Sequence, residues 1–138
     1  MDAQRRIRIL DSSAMIAYLR KEEGTAVVEQ ILTDPTIDCY AHAVNLCEVY
    51  YDALRVSGVA EAEKSMQDLF ALNVLERNDF DEAFWKEVAH LKAIHRASLA
   101  DFCAVVLANR LNGVFLTADH HEFDKLAQDR VCSIQFIR

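Results

Sequence analysis

The chain has 138 residues, with 15 Lys and Arg against 22 Asp and Glu for a formal net charge of −7, and it is 52% hydrophobic with only three Gly and one Pro. This is the composition of a single domain, 1–138, able to bury roughly two thirds of its unfolded surface without disulfide staples, and it excludes linkers, collagens and disordered tails. The acidic balance excludes a protein that grips nucleic acid through a broad basic surface, and leaves the acids as either a solvated face or the lining of a cation site.

In chain order, residues 6–10 form a short apolar strand, and 12–21 a helix with Ala14, Met15, Tyr18 and Leu19 on its apolar side. Gly24 breaks that pattern, a helix covers 25–32, and Pro35 stops it before a strand at 37–41. Residues 45–56 are helical, with Leu46, Val49, Tyr50 and Ala53 on one face, and Gly58 separates them from a helix at 59–72. A third strand falls at 73–76. Asp79 with Glu82 reads as a capping box for a long helix whose apolar positions are Phe80, Phe84, Val88 and Leu91. Ser98 caps the next helix, with a stripe of Leu99, Phe102, Cys103, Val106 and Leu107. A strand at 114–116, a helix at 122–128 and a strand at 131–137 follow. Strands alternating with helices predict an α/β fold with a mainly parallel sheet and helices on both faces, because parallel neighbours need crossovers. Ligands of such sheets bind outside the carboxyl ends of the strands.

Several chemistries drop out on residue counts. Gly24, Gly58 and Gly113 are too scattered for a dinucleotide fingerprint, a P-loop or a glycine-flanked serine elbow. Cys39, Cys47, Cys103 and Cys132 lie in apolar stretches without a C-x-x-C pair, and read as small buried hydrophobes in a reducing compartment rather than zinc ligands. No apolar run approaches the roughly 20 residues of a membrane helix, and the segment after Arg5 and Arg6 is too short for a signal sequence, so the expectation is a cytoplasmic protein.

Four acids converge in this topology. Asp11 directly follows the first strand, and Asp119 follows the 114–116 strand after Thr117 and Ala118, which places both at the carboxyl edge. Glu48 sits in the first turn of the helix after the second strand, and that crossover helix begins at the same edge. Asp101 lies in the first turn of the helix leading into the 114–116 strand, and a helix antiparallel to its strand starts at the strand's carboxyl end, with one of the two intervening helices crossing the sheet obliquely. Each acid alone also fits a cap: Asp11 as an N-cap, and Asn45 with Glu48, Ser98 with Asp101 and Asp119 with Glu122 as capping boxes. Capping leaves several like charges facing one another, at a cost in folding free energy. A hard divalent cation with oxygen ligands explains the convergence.

Ile9-Leu10-Asp11-Ser12-Ser13-Ala14, Val44-Asn45-Leu46-Cys47-Glu48-Val49, Ser98-Leu99-Ala100-Asp101 and Leu116-Thr117-Ala118-Asp119 resemble, in order, the four signature blocks of the PIN-domain nucleases. Spacing and length resemble the VapC-type toxins of bacterial toxin–antitoxin pairs, over about residues 7–137. The resemblance implies a PIN-like three-layer α/β/α domain around a five-stranded parallel sheet. It further implies an endoribonuclease that uses one or two Mg²⁺ or Mn²⁺ ions, leaves a 5′-phosphate, forms a homodimer and is inhibited by a partner antitoxin. Carried over by position, the family acids fall on Asp11, Glu48, Asp101 and Asp119, with Asp11 and Asp101 central and Ser13, Asn45 and Thr117 supporting them. Asp124 stands as either an auxiliary ligand or a solvated helix residue. His120 and His121 point apart on a helix, so at most one serves the site, and exposed bystanders is the better expectation.

No serine, cysteine or lysine nucleophile motif accompanies the acids, which points to water as the attacking group. Arg5, Arg6, Arg8, Arg20, Lys21 and Arg110 read as solvated charges, whereas Arg96, close in sequence to Ser98 and Asp101, is the candidate for binding the RNA substrate. Tyr50, Tyr51, Phe80, Phe84 and Trp85 read as core or dimer contacts rather than base-stacking platforms. An aspartyl-phosphate phosphatase would carry D-x-D where Ser13 stands, and a receiver domain would carry adjacent acids after the first strand and a late lysine. A silent PIN-like binding module would be expected to have lost acids, and a housekeeping nuclease of the same fold is the alternative to a toxin.

Overall fold

Side chains alternate across a strand with period two, and in the first strand this sends Ile9 and Leu10, both fully buried, into opposite halves of the core. The structure, a computed structural model, describes residues 6–138; the basic candidate Arg5 lies outside the described residues. Five strands are hydrogen-bonded in the order β3-β2-β1-β4-β5, every neighbouring pair parallel: β1 is Ile7–Leu10, β2 Asp38–His42, β3 Val74–Arg77, β4 Val114–Thr117 and β5 Ile134–Phe136. Among the described residues seven helices flank them: α1 Ser12–Leu19, α2 Thr25–Leu32, α3 Ala43–Ser57, α4 Val59–Ala71, α5 Glu82–Ile94, α6 Leu99–Arg110 and α7 His120–Gln128. One face, with Leu10, Ala41 and Leu116, packs against Met15, Val28, Leu46, Val49 and Leu69 of the first four helices. On the other, Ile9 and Phe115 meet Phe84, Val88, Phe102, Leu107, Phe123 and Leu126 of the last three. The result is the expected α/β/α layering around a sheet that is parallel throughout.

The strand order changes direction at β1, whose neighbours β2 and β4 carry the chain to opposite sides. This switch point is where the carboxyl ends of parallel strands leave a crevice. Of the two helices between β3 and β4, α6 packs against β1, β2 and β4 and also against α3 and α5. Enclosed this way, it is buried from Phe102 to Ala108 and not along one stripe alone. Phe115 of β4 and Phe123 of α7 meet with ring centroids 4.7 Å apart, which pins α7 over the end of β4.

Two predicted caps move. α3 begins at Ala43 and its N-cap is His42, so Asn45 and Glu48 do not form a capping box and Glu48 falls in the second turn. His42 is buried; its Nδ1 accepts from the Val44 N–H at 3.1 Å, which makes Nε2 the donor to the Asp79 carbonyl at 2.8 Å. In α5 the N-cap is Asp81, whose carboxylate accepts from the Phe84 N–H at 2.9 Å. Asp79 is drawn off by the Arg77 guanidinium through two bonds of 2.9 Å each. His42→Ala is expected to destabilise the protein by about 1–2 kcal/mol, since it loses a cap and leaves the Asp79 carbonyl unpaired; the urea unfolding midpoint checks it. Cys39 and Cys103 are buried as expected, but Cys47 is exposed, because it faces outward on α3 between Leu46 and Val49. No helix among the described residues is long and apolar enough to cross a membrane.

Candidate active site

Asp11 follows the last residue of β1, and its N–H donates to the Leu116 carbonyl at 3.1 Å, so the β1–β4 ladder itself sets its place. Its carboxylate caps α1. Oδ1 accepts from the Ala14 N–H at 2.8 Å and the Ser13 hydroxyl at 2.7 Å, and Oδ2 accepts from the Thr117 hydroxyl at 2.6 Å. A carboxylate has about four acceptor sites, so one is left, on Oδ2. The two hydroxyls are held in turn, Ser13 accepting from the Ala118 N–H at 2.9 Å and Thr117 from the Asp119 N–H at 3.0 Å. Although Asp11 is hydrogen-bonded, its burial dominates and pushes the pKa up to about 7; the bonds from Thr117, Ala14 and Ser13 oppose the rise, and the charge of Asp101 adds to it.

Asp101 and Ser98 form the predicted capping box at the start of α6, with the Ser98 N–H donating to Asp101 Oδ2 at 2.9 Å and the Asp101 N–H to the Ser98 hydroxyl at 3.1 Å. Burial raises the Asp101 pKa, the cap lowers it, and the charges of Asp119 and Glu122 raise it again. Glu48 is also raised, first by burial and then by Asp101, against a hydrogen bond from Ser12. Asp119 caps α7, accepting from the Glu122 N–H at 3.2 Å. Asp101 is therefore the hub of the cluster, sharing a repulsive field with Asp11, Glu48, Asp119 and Glu122. Capping accounts for the position of Asp11, Asp101 and Asp119 and leaves that field uncompensated.

Of the three supporting residues, Ser13 and Thr117 bind Asp11 directly. Asn45 instead donates from Nδ2 to the Ala100 carbonyl at 3.3 Å, tying α3 to α6 and so fixing the spacing of Glu48 from Asp101. Its Oδ1, and Oε1 of Glu48, are buried without a hydrogen-bond partner. Those orphaned oxygens, the spare site on Asp11 and the all-oxygen donor set fit a hard cation. Among the described residues, no three carboxylate, imidazole or thiol side chains close into a ready-made ligand cage.

Thr117→Val, which keeps the shape of the side chain and removes its hydroxyl, unpairs Asp11 Oδ2 and the Asp119 N–H. It is expected to destabilise by about 1–3 kcal/mol and to weaken Mg²⁺ binding roughly 10- to 100-fold. Urea titration and calorimetry with Mg²⁺ measure the two effects.

Asp124 is placed on another side of α7, where it meets His120 Nδ1 at 2.8 Å. His120 is no bystander: its Nε2 bonds the Arg138 carbonyl at 2.7 Å and its ring stacks on Phe136 at 4.0 Å, fastening the chain's end to α7. His121, with a side chain 92% exposed, fits the bystander expectation. The missed contributors are Ser12 and Glu122, the latter read only as a cap partner; each lies one to three residues from a motif acid, which is the signal that could have found them.

The basic candidates are mostly committed elsewhere. Arg6 donates to the Thr36 carbonyl, Arg8 to Gln135, and Arg20 pairs with Asp52. Arg110 lies over the Phe84 ring and between Asp81 and Glu87. Phe84 is core, as expected, whereas Tyr51, Phe80 and Trp85 are exposed. Arg96 is exposed on the loop before α6 and lines a groove beside the acids.

The PIN domain profile matches residues 8–129. Comparison with curated protein sequences returns no match. Among solved structures, the fold is similar to DNA-bound VapBC from Salmonella typhimurium, with TM-score 0.71 and 16% identity over 95% of this chain and 98% of that one. It is also similar to VapBC-1 from nontypeable Haemophilus influenzae, with TM-score 0.69 and 18% identity over 95% and 98% of the two chains. A third is VapC20 of Mycobacterium tuberculosis, described as a sarcin–ricin-loop-cleaving toxin, with TM-score 0.69 and 10% identity over 86% and 94%. At these identities the likeness is one of fold.

Proposed function

The chain belongs to the PIN domain family, and from that premise we propose that it is a metal-dependent endoribonuclease acting as the toxin of a toxin–antitoxin pair. One observation carries the reading: Asp101 stands among Asp11, Glu48, Asp119 and Glu122 at the carboxyl edge of the sheet, a field of like charges. The likeness in fold to a toxin named for cleaving an RNA loop supports RNA as substrate, and the VapBC assemblies support an antitoxin partner. A homodimer follows the same resemblance.

Asp11, through its spare Oδ2 site, and Asp101 would hold Mg²⁺ or Mn²⁺, with Glu48 and Asp119 completing the set directly or through water. Such an ion supplies positive charge to the phosphodiester and lowers the pKa of a bound water. The chain supplies orientation. Ser13 and Thr117 donate their hydroxyl protons to Asp11 and hold its carboxylate in place, and, with no serine, cysteine or lysine nucleophile motif beside the acids, water is the attacking group in this scheme. Asn45 holds α3 to α6 and keeps Glu48 at a fixed distance from Asp101. Asp124, turned to His120, is not a ligand in this scheme.

The test is incubation of the purified protein with total cellular RNA in Mg²⁺, Mn²⁺ or EDTA, followed by mapping of the 5′ ends. Discrete cuts bearing 5′-phosphates, absent in EDTA, are the expected result. No cleavage by folded, antitoxin-free protein on any RNA overturns the proposal.

A further inference from the structure

Beside the acidic edge, a groove of about 520 Å³ opens between the loop joining α5 to α6 and the outer side of α7, within the roughly 300–1,000 Å³ of ordinary ligand clefts. His95 and Arg96 line it from the loop, and His121, Glu122, Lys125 and Asp129 from the α7 side. We propose that this groove holds the RNA backbone next to the bond that is cut, with Arg96 and Lys125 each contacting a phosphate; the inference rests on the ribonuclease reading above.

Continuity with the acids is the first support. Glu122 lines the groove, and its N–H donates to the Asp119 carboxylate, so a single turn of α7 borders both places. A strand whose phosphodiester lies at Asp11 and Asp101 then reaches the groove with its neighbouring phosphates.

Charge is the second. A chain of net charge −7 must supply local cations where RNA lies; of the other basic candidates within the described residues, Arg6, Arg8, Arg20 and Arg110 are bonded elsewhere, and Lys21, just past the end of α1, lines a separate groove with Tyr18, Thr25 and Lys64. Arg96 is exposed and has no carboxylate partner among the described residues, and its planar fork suits a phosphate. Lys125 pairs with Asp129 at 3.0 Å, but its side chain is 75% exposed, so a phosphate exchanges for a solvent-screened partner at small cost. His95 Nδ1 lies 3.8 Å from the same Asp129. Ile94, 75% exposed at the rim, offers an apolar surface to a base.

The experiment measures binding of a fluorescent single-stranded RNA to the full chain carrying Asp101→Asn, over a series of salt concentrations. Added to that background, Arg96→Gln and Lys125→Gln are each expected to weaken binding about tenfold and to reduce the slope of log K against log salt by about 0.7, the release for one single-strand phosphate contact. Lys64→Gln on α4 leaves both quantities unchanged. In the cleaving protein, Arg96→Gln raises KM and leaves kcat as it was. Metal-dependent cleavage with unaltered KM and salt slope in both groove variants overturns the groove and leaves the ribonuclease reading intact. Absence of RNA binding and cleavage in the unsubstituted protein overturns both. If the groove variants lose affinity for a protein partner while keeping the RNA slope, the groove is a protein-docking surface and the proposal is overturned.

Discussion

Asp101→Asn is expected to reduce RNA cleavage by on the order of 10³-fold and, in EDTA, to raise the melting temperature. The activity loss follows from removing the one carboxylate that shares a field with all the others. The stability gain follows from the same fact, because a neutral amide relieves the repulsion on Asp11 and Glu48 and leaves an oxygen to accept from the Ser98 N–H. Relief of about 1 kcal/mol corresponds to roughly 3–4 °C for a domain of this size. Saturating Mg²⁺ reverses the order, stabilising the unsubstituted protein by about 2.7 kcal/mol at 100 times its Kd and the variant far less. Single-turnover cleavage and thermal melts with and without metal measure both. A variant that cuts at full rate, or that melts lower in EDTA, contradicts the assignment.

In EDTA, the stability of the unsubstituted protein is expected to fall as pH rises from about 4 to about 7, by on the order of 3 kcal/mol. Asp11 has an ordinary carboxylate pKa of 3.8 and is raised to about 7 in the folded chain, so between those values the native state binds a proton that the unfolded state has released. Stability drops throughout that window and levels off once the native state also gives up its proton, and Asp101 and Glu48, also raised, act in the same direction. Asp34 and Asp79 act oppositely, being held low by Thr36 and Arg77, but their contribution is already complete above the ordinary carboxylate range. His120, raised by its bonds to the Arg138 carbonyl and Asp124, loses stabilisation as pH rises further, so the comparison needs Asp101→Asn as a second curve. Urea midpoints across the range are expected to decline for the unsubstituted protein, to decline less for the variant, and to level out when Mg²⁺ is present. A flat or rising curve in EDTA contradicts the buried, uncompensated cluster.

Element order was legible because the breaks were chemical: Gly24, Pro35 and Gly58 separate the early elements, and Ser98 begins α6 as it should. The convergence of the acids was legible for the same reason, since Asp11 and Asp119 each follow a strand directly and a parallel sheet sends those ends one way. What escaped was set by partners distant in sequence. His42 caps α3 because the Asp79 carbonyl, 37 residues away, fixes which ring nitrogen carries the proton. Asp79 is a local exception: Arg77, two residues before it, takes its carboxylate and leaves the cap of α5 to Asp81. The role of His120 depends on β5 laying Phe136 against its ring, and the all-round burial of α6 depends on α3 and α5 closing over it. Local propensity carries none of that information.

The most direct measurement is calorimetric titration of Mg²⁺ into the apo protein near pH 7.5, with Asp11→Asn, Asp101→Asn and Asp124→Asn alongside. Saturable binding that Asp11→Asn and Asp101→Asn abolish and Asp124→Asn leaves intact is the predicted result. Binding indifferent to Asp101, or no saturable binding at all, contradicts a metal centre at this edge of the sheet.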